Sequence, residues 1–310
     1  MTPRCSIILP TYNRIGTLPR AVASVLAQDM GDFELLIVDD ASTDGTLEWL
    51  KQQTDPRIRV IAAPRNGGPS AARNLGLEAA RSAIAAFLDS DDVYRPNRLS
   101  RTLAVFEAEP DVACILSSSV KRNKARDDTL ALPDVTLASP AFEWGLVCDL
   151  VAVETSSVTL RTEAARAAGG FCVALKRSED REFLIRLAQQ GAGRLLSDIL
   201  WEKIWSDDGL SQERLGMGRD LVAYVRQRPE YLTRYRRVGS YLASKILVTD
   251  LRRRDLTTLL ADWRQFRAAG LISGNIADVI RSHRDVRRYR RQMANSAALK
   301  TLTGPPAEWN

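Results

Sequence analysis

The sequence predicts an α/β fold: a mostly parallel sheet flanked by helices, followed by an α-helical C-terminal region. Three observations lead to this class. Short apolar segments alternate with amphipathic ones through the first hundred residues. Clusters of polar residues follow successive apolar segments. Beyond residue 215 the apolar residues recur at helical spacing and the composition becomes basic.

The first hundred residues predict four strands, of which the first and last are expected to be buried, and three intervening helices. The strands are expected at residues 5–9, 34–38, 57–62 and 84–88, and the helices at 18–27, 43–52 and 70–81. Strands that alternate with helices of about ten residues indicate βαβ units and hence parallel pairing.

The pattern is looser after residue 101. We expect strands at residues 112–117 and 156–160, a polar loop at 121–131 and a helix at 178–190. From residue 216 onward every periodic segment favours a helix.

Composition excludes several classes of protein. The 310 residues are 45% hydrophobic and 26% charged, close to the average of globular proteins. No apolar run approaches the length of a membrane span, and the N-terminus has no secretion signal, so we expect a cytoplasmic protein. The four cysteines form no CxxC pair, and the single histidine, His283, argues against zinc sites rich in histidine and against Ser-His-Asp hydrolases.

Charge divides the chain into two predicted domains. Residues 1–215 carry a net charge of −5, whereas residues 216–310 contain 19 Lys and Arg against 8 Asp and Glu, a net charge of +11. We therefore predict a catalytic domain over 1–215, with halves at 1–105 and 106–215, and a basic helical region over 216–310.

Polar clusters come directly after the predicted strands, at residues 11–14, 39–40, 66–68 and 89–92. Asp, Asn, Ser and Gly are common in ordinary turns. In parallel sheets, however, ligands bind beyond the carboxyl ends of the strands. We therefore expect the four loops to share one site.

Three carboxylates lie within four residues in Asp89-Ser90-Asp91-Asp92. Such groups repel one another unless a cation or donor offsets them, and Mg²⁺ or Mn²⁺ prefers oxygen ligands. An acidic turn that caps the next helix is the alternative. Asp39 and Asp40 also have two interpretations. Either a carboxylate accepts the imide N–H of a uracil-like base, or the two residues form an ordinary turn. The segment 66–68 has neither GxGxxG nor P-loop spacing.

Four motifs in order resemble one family. They are SIILPTYNR at 6–14, VDDASTDGT at 38–46, NGG at 66–68 with AARN at 71–74, and FLDSDD at 87–92. Together they closely resemble the large inverting family of GT-A glycosyltransferases, family 2-like. The similarity continues more weakly through Gly169-Gly170-Phe171 and Ser178-Glu179-Asp180 to about residue 215.

The resemblance implies roles for individual residues. Those assigned to the nucleotide-sugar are Pro10, Thr11, Tyr12, Asp39, Asp40, Arg73, Asp89 and Ser90. Tyr12 would stack on the base, Arg73 would contact base or phosphate, and Asp89 would face the ribose. Asp91 would be the main ligand of Mn²⁺ or Mg²⁺, and Asp180 would be the catalytic base.

One departure concerns a histidine that many members of the family carry near the end of the catalytic domain. Trp205 stands at the matching position, and Asp207 or Asp208 is a candidate substitute.

The resemblance thus implies sugar transfer from a nucleotide-diphosphate donor, a UDP-sugar by preference, to a carbohydrate or lipid-linked acceptor in polysaccharide or glycolipid assembly. A non-catalytic nucleotide-sugar-binding scaffold and a sugar nucleotidyltransferase are the alternatives. The chain lacks the Gly-rich N-terminal loop that a nucleotidyltransferase needs.

The basic region contains one amphipathic segment, Asn275–Met293. Ile276, Val279, Ile280, His283 and Val286 predict one apolar side, and Arg281, Arg284, Arg288 and Arg291 a basic side. Contact with an anionic membrane surface is one interpretation, and a helix packed on the protein or in a homo-oligomer is the other. No nucleic-acid-binding motif accompanies the charge, so we expect no nucleic-acid partner.

Overall fold

A computed structural model describes residues 2–122, 127–204, 217–293, 298–299 and 301–306. The chain forms two compact units. One comprises Met1–Glu143, Ala152–Val173 and Glu179–Gly209, and the other Trp144–Val151, Ala174–Ser178 and Leu210–Asn310. The predicted boundary at residue 215 lies outside the described residues and stays a prediction.

The first unit is built on a sheet of ten strands with helices between them, which confirms the α/β class. The strands are β1 (Cys5–Thr11), β2 (Phe33–Asp39), β3 (Ile58–Ala62), β4 (Ile84–Phe87), β5 (Val93–Tyr94), β6 (Val112–Arg122), β7 (Asp128–Leu130), β8 (Val135–Leu137), β9 (Val158–Arg161) and β10 (Ala192–Ile204). The helices up to residue 187 are α1 (Leu18–Leu26), α2 (Thr46–Lys51), α3 (Pro69–Ala79), α4 (Arg98–Ala108), α5 (Ser139–Val147), α6 (Thr162–Ala167) and α7 (Glu179–Leu187).

The first four strands are parallel, as the alternation of strands and helices predicts. Strand β1 lies between β2 and β4, and β3 pairs with β2. Every residue of β1, β2 and β4 is buried. A strand covered on both faces needs apolar side chains on both, which explains the continuous apolar runs in these segments.

The remaining strands make the sheet mixed. Strand β9 is antiparallel to β4 and β6, and β10 is parallel to β6 but antiparallel to β5 and β8. The polar loop predicted at 121–131 is wrong in part, because β6 continues to Arg122 and β7 occupies Asp128–Leu130. The side chains of β7 are largely exposed and carry no periodic signal, so only its pairing with β6 makes it a strand.

The second unit is helical in its described part. Its helices after residue 216 are α8 (Met217–Gln227), α9 (Arg236–Arg252), α10 (Leu256–Ala268) and α11 (Ile276–Met293). Buried tyrosines pack with one another in this unit: the ring centroid of Tyr231 lies 5.4 Å from that of Tyr224 and 5.9 Å from that of Tyr235. Over the described ranges, no helix is both long enough and apolar enough to cross a membrane.

Candidate functional site

Hydrogen bonds join the loop after β1 to the loop after β2. The backbone N–H of Asn13 donates to Ser42 Oγ at 2.9 Å, and the N–H of Thr43 donates to Asn13 Oδ1 at 2.7 Å. Asn13 and Ala41 have φ angles of 52° and 64°, in the left-handed region. Asparagine tolerates that region better than most residues, and its side chain bonds nearby backbone.

Asp40 joins the loop after β2 to the loop after β3. Its two carboxylate oxygens accept the backbone N–H groups of Gly67 at 2.9 Å and Gly68 at 2.7 Å. Gly68 has a φ of 83°, a conformation that favours glycine. It is the N-cap of α3, and Pro69 is the first residue of the helix. The contacts of Asp40 are therefore those of a residue that shapes the loop.

The hydrogen bonding of Asp39 differs from that of Asp40. It is fully buried at the end of β2 and lies opposite Thr11 in the β1–β2 register. Its Oδ2 accepts the N–H of Ser42 at 3.2 Å, but Asp39 Oδ1 and Thr11 Oγ1 have no hydrogen-bond partner among the described residues. Buried polar atoms are normally paired, so an unpaired acceptor beside an unpaired hydroxyl marks a place for a polar ligand. Tyr12 is the residue after Thr11 in the chain, and it is 45% exposed.

The acidic cluster, Asp89 to Asp92, begins two residues after β4 and is fixed by Ser156. The N–H of Asp89 donates to Ser156 Oγ at 3.0 Å, and Ser156 Oγ donates to Asp92 Oδ2 at 2.6 Å. Ser156 is buried, as is Ser90 within the cluster. The sequence predicts a strand from Ser156 but gives no sign that its hydroxyl holds the acidic cluster, because the two segments are 67 residues apart.

Like charges are crowded in the acidic cluster. Burial and the neighbouring charge of Asp89 raise the pKa of Asp91. Burial and the charges of Asp89 and Asp91 raise the pKa of Asp92 well above its usual range. A divalent cation would relieve this repulsion, and carboxylate oxygens are the ligands that Mg²⁺ and Mn²⁺ prefer. The residues present therefore fit such an ion, although no three Asp, Glu, His or Cys side chains in the described ranges are grouped to hold a metal by themselves.

Lys203 carries positive charge near the acidic cluster and was not singled out from the sequence. Strand β10 pairs with β5 through Glu202 and Val93, so Lys203 stands one position further along, toward Asp92. Burial disfavours its charged form, but Glu154, Asp92 and the other two aspartates outweigh burial and raise its pKa. Lys203 Nζ lies 3.7 Å from the Glu154 carboxylate. The predicted substitutes for the missing histidine, Trp205, Asp207 and Asp208, lie outside the described residues.

Arg73 connects the acidic cluster to the Glu179-Asp180 pair. Its guanidinium nitrogens lie 2.8 Å from Asp89 Oδ1 and 3.0 Å from Glu179 Oε1. The side chain is buried, and its guanidinium carbon lies 5.3 Å from the centroid of the Phe171 ring. The resemblance assigns Arg73 to base or phosphate; the partners found here are carboxylates.

Asp180 lies in the first turn of α7, and its Oδ1 accepts the N–H of Arg181 at 2.7 Å. Burial and the adjacent charge of Glu179 raise the pKa of Asp180 to about 6, against 3.8 for an ordinary aspartate, while Arg181 and Arg73 oppose the shift. A carboxylate with such a pKa ionises near neutral pH and is a stronger base than a surface aspartate.

The segment Gly170–Phe171, which precedes α7 in the chain, is held by side chains of α7 and α3. Arg186 donates to the carbonyl of Gly170 at 2.6 Å while it pairs with Glu182. The Asn74 side chain bonds both the N–H and the carbonyl of Phe171 at 2.8 Å each. A Cβ on Gly170 would lie 2.5 Å from Asn74 Oδ1, so the GGF segment predicted as a motif needs glycine at this point.

These features define the class of the protein: a GT-A fold with acidic residues at the carboxyl ends of its parallel strands. Residues 6–138 match the family described as Glycosyl transferase family 2.

Comparison with known proteins agrees with the fold and the family. The chain is 45% identical over 148 residues to the succinoglycan biosynthesis protein ExoO of Rhizobium meliloti; this covers 45% of the chain and 42% of ExoO. The chain thus spans less than half the length of that relative. It shares its fold, at 21% identity and a TM-score of 0.67, with S. aureus TarS in complex with UDP-GlcNAc, over 93% of this chain and 92% of the TarS chain. A mannosyltransferase, PcManGT from Pyrobaculum calidifontis in complex with GDP-Man and Mn²⁺, matches at 21% identity and a TM-score of 0.57, over 97% and 85% of the two chains.

We predict that replacing Arg73 with methionine destabilises the protein markedly. The change leaves the Asp89 and Glu179 carboxylates without their buried cation, which typically costs about 3–5 kcal/mol. Urea unfolding measures the loss. The matched control is Arg4→Met, which breaks the exposed pair with Glu107 and should cost less than about 1 kcal/mol. Equal, small losses in both variants would show that the Arg73 bridge contributes little.

Proposed function

We propose that the protein is an inverting glycosyltransferase that moves a sugar from a nucleotide-diphosphate donor, a UDP-sugar, to an acceptor hydroxyl in the cytoplasmic assembly of a polysaccharide or glycolipid. The observation that carries the proposal is the Arg73 bridge. One guanidinium contacts both Asp89, in the acidic cluster expected to hold the donor, and Glu179, next to the expected base Asp180. The two halves of the reaction would thus meet around a single side chain.

Donor recognition would begin at Thr11 and Asp39. The unpaired Asp39 Oδ1 is an acceptor matched to the imide N–H of uracil, and the exposed Tyr12 ring is available for stacking on the base beside Pro10. Asp40 would act indirectly, since both of its oxygens already hold the Gly67-Gly68 backbone. The TarS complex with UDP-GlcNAc and the succinoglycan role of ExoO support this donor and acceptor class.

The diphosphate would lie at the acidic cluster. Asp91 would be the main ligand of Mn²⁺ or Mg²⁺, with phosphate oxygens and water completing the shell, and Asp89 would face the ribose with Ser90 beside it. When bound, the ion offsets the charge of the departing diphosphate. Lys203, held toward Asp92 by β10, would add a second positive charge. The Mn²⁺ complex of PcManGT supports a divalent metal in this fold.

Transfer would proceed by direct displacement. The Asp180 carboxylate accepts the proton of the acceptor hydroxyl as that oxygen attacks C1 of the sugar. The new bond between C1 and the acceptor oxygen forms on the face opposite the phosphate oxygen. The bond between C1 and that phosphate oxygen breaks, and the nucleoside diphosphate departs with both electrons of the bond. The configuration at C1 is therefore inverted, which gives a β-linkage from an α-linked donor.

We predict that Asp91→Asn abolishes the metal dependence of nucleotide binding. The substitution keeps the size of the side chain but removes the charge that would hold the ion. Calorimetric titration with UDP, with and without Mn²⁺, should show tightening by Mn²⁺ in the native protein and none in the variant. Asp55→Asn, which removes a carboxylate paired with Arg57 away from the motifs, should keep the Mn²⁺ effect. Unchanged Mn²⁺ tightening in Asp91→Asn would remove Asp91 from the metal site.

We predict that Asp180→Asn lowers the rate of sugar transfer by on the order of 10²-fold or more while UDP affinity and unfolding change little. The variant retains a side chain of the same shape that cannot take up the proton. The neighbouring Glu179→Gln is the matched control and should retain more activity. Comparable turnover by Asp180→Asn and the native protein would leave Asp180 as an acidic residue that merely favours the start of α7.

The raised pKa of Asp180 predicts a pH profile. Only the ionised carboxylate accepts a proton, so the transfer rate should rise with pH through about 6 and level off above it. Because the charge of Glu179 contributes to the raised pKa, Glu179→Gln should move the midpoint to lower pH. Initial rates at saturating donor across this range give both midpoints. A native profile that is flat down to the ordinary aspartate range contradicts the assignment.

A further inference from the structure

Helix α11 presents two different sides. Val279 and Val286 are buried, and His283 Nδ1 lies 2.7 Å from Ser244 Oγ of α9. Ile276 and Ile280, which the sequence places on the same apolar side, are instead 62% and 60% exposed. The predicted single apolar side is therefore divided between a packed face and an outer one.

The outer face of α11 continues from isoleucine to arginine. At 100° per residue, one exposed stripe contains Ile276, Ile280, Arg284, Arg287 and Arg291, with Arg288 at its border. We call these six residues the outer stripe. Its N-terminal part is apolar and its C-terminal part is basic.

Few carboxylates of the described residues lie close enough to neutralise the charge of the outer stripe. Arg284 lies 3.7 Å from the carboxylate of Asp285, and its side chain is 66% exposed. Counting described residues only, Arg287, Arg288 and Arg291 have no carboxylate within 4.0 Å. The four arginines line a concave region of about 550 Å³ together with His283 and Gln292. Several guanidinium groups around one hollow form a natural site for phosphate oxygens.

We propose that the outer stripe docks the protein on an anionic lipid surface. The two isoleucines would enter the boundary of the acyl chains, and the arginines would contact headgroup phosphates. A nucleic acid would satisfy the arginines but would leave Ile276 and Ile280 in water, so the continuous apolar and basic stripe favours a membrane. None of these six residues belongs to the proposed donor site, so the inference goes beyond the proposed function.

Vesicle sedimentation tests the basic part. The full chain is mixed with vesicles of phosphatidylglycerol and phosphatidylcholine, or of phosphatidylcholine alone, and only the anionic vesicles should bind it. Arg287→Gln, Arg288→Gln and Arg291→Gln together should lower the partition coefficient by on the order of 10²-fold. The control, Arg226→Gln, Arg236→Gln and Arg253→Gln, removes the same charge from exposed positions on other parts of the second unit and should lower it far less. Equal losses would mean attraction by net charge alone and would overturn the docking surface.

A second pair of variants tests the apolar part. Ile276→Ser with Ile280→Ser should weaken vesicle binding, whereas Leu256→Ser with Leu260→Ser, which changes two similarly exposed residues of α10, should not. Tighter binding of the native chain to a short DNA duplex than to anionic vesicles, with no effect of the isoleucine changes, would overturn the proposal in favour of nucleic acid. Every variant should hydrolyse UDP-sugar at the native rate with Mn²⁺, so a failure of vesicle binding is distinguishable from a failure of the proposed function.

Discussion

The candidate site depends on one buried guanidinium. Asp89 and Glu179 belong to segments that the fold brings together, and both carboxylates, with Asp180 beside them, repel one another. Arg73 offsets that repulsion through two ion pairs, and the same helix holds Phe171 through Asn74. The charge balance of the candidate site and the position of α7 therefore both depend on contacts made from one helix, α3.

Carboxylates that are neighbours in the chain differ in their hydrogen-bond and ion-pair partners. Each oxygen of Asp40 accepts a glycine N–H, while Asp39, one residue earlier, retains an unpaired oxygen. In the acidic cluster, Ser156 fixes Asp92, and Asp89 and Asp91 remain at the more exposed side. Asp40 thus shapes the backbone beside an Asp39 that keeps one unpaired oxygen, and Ser156 holds Asp92 near an Asp89 that pairs with Arg73. Identical residue types thus take different roles because the surrounding backbone donors differ.

Much of the fold and part of the site could be predicted before the structure. The strands of residues 5–87 and the alternating helices follow from apolar periodicity, and the position of the polar loops follows from the rule that parallel strands end at one edge of a sheet. The short strand Asp128–Leu130 was missed because its side chains are mostly exposed and its stability comes from β6. The isoleucines of α11 were placed on the same apolar side as Val279 and Val286 because a helical period alone does not tell which flank of a stripe meets a neighbour.

The sequence by itself determined the α/β class, the order of the motifs and the resemblance to family 2 glycosyltransferases, because these depend on local periodicity and on residues close together in the chain. The tertiary structure decided which side chains meet. Ser156 reaches the acidic cluster across 67 residues, and Glu179 reaches Arg73 across 106. Lys203 approaches Asp92 only because β10 pairs with β5. Contacts of this kind are set by strand pairing and helix packing, which no local pattern encodes.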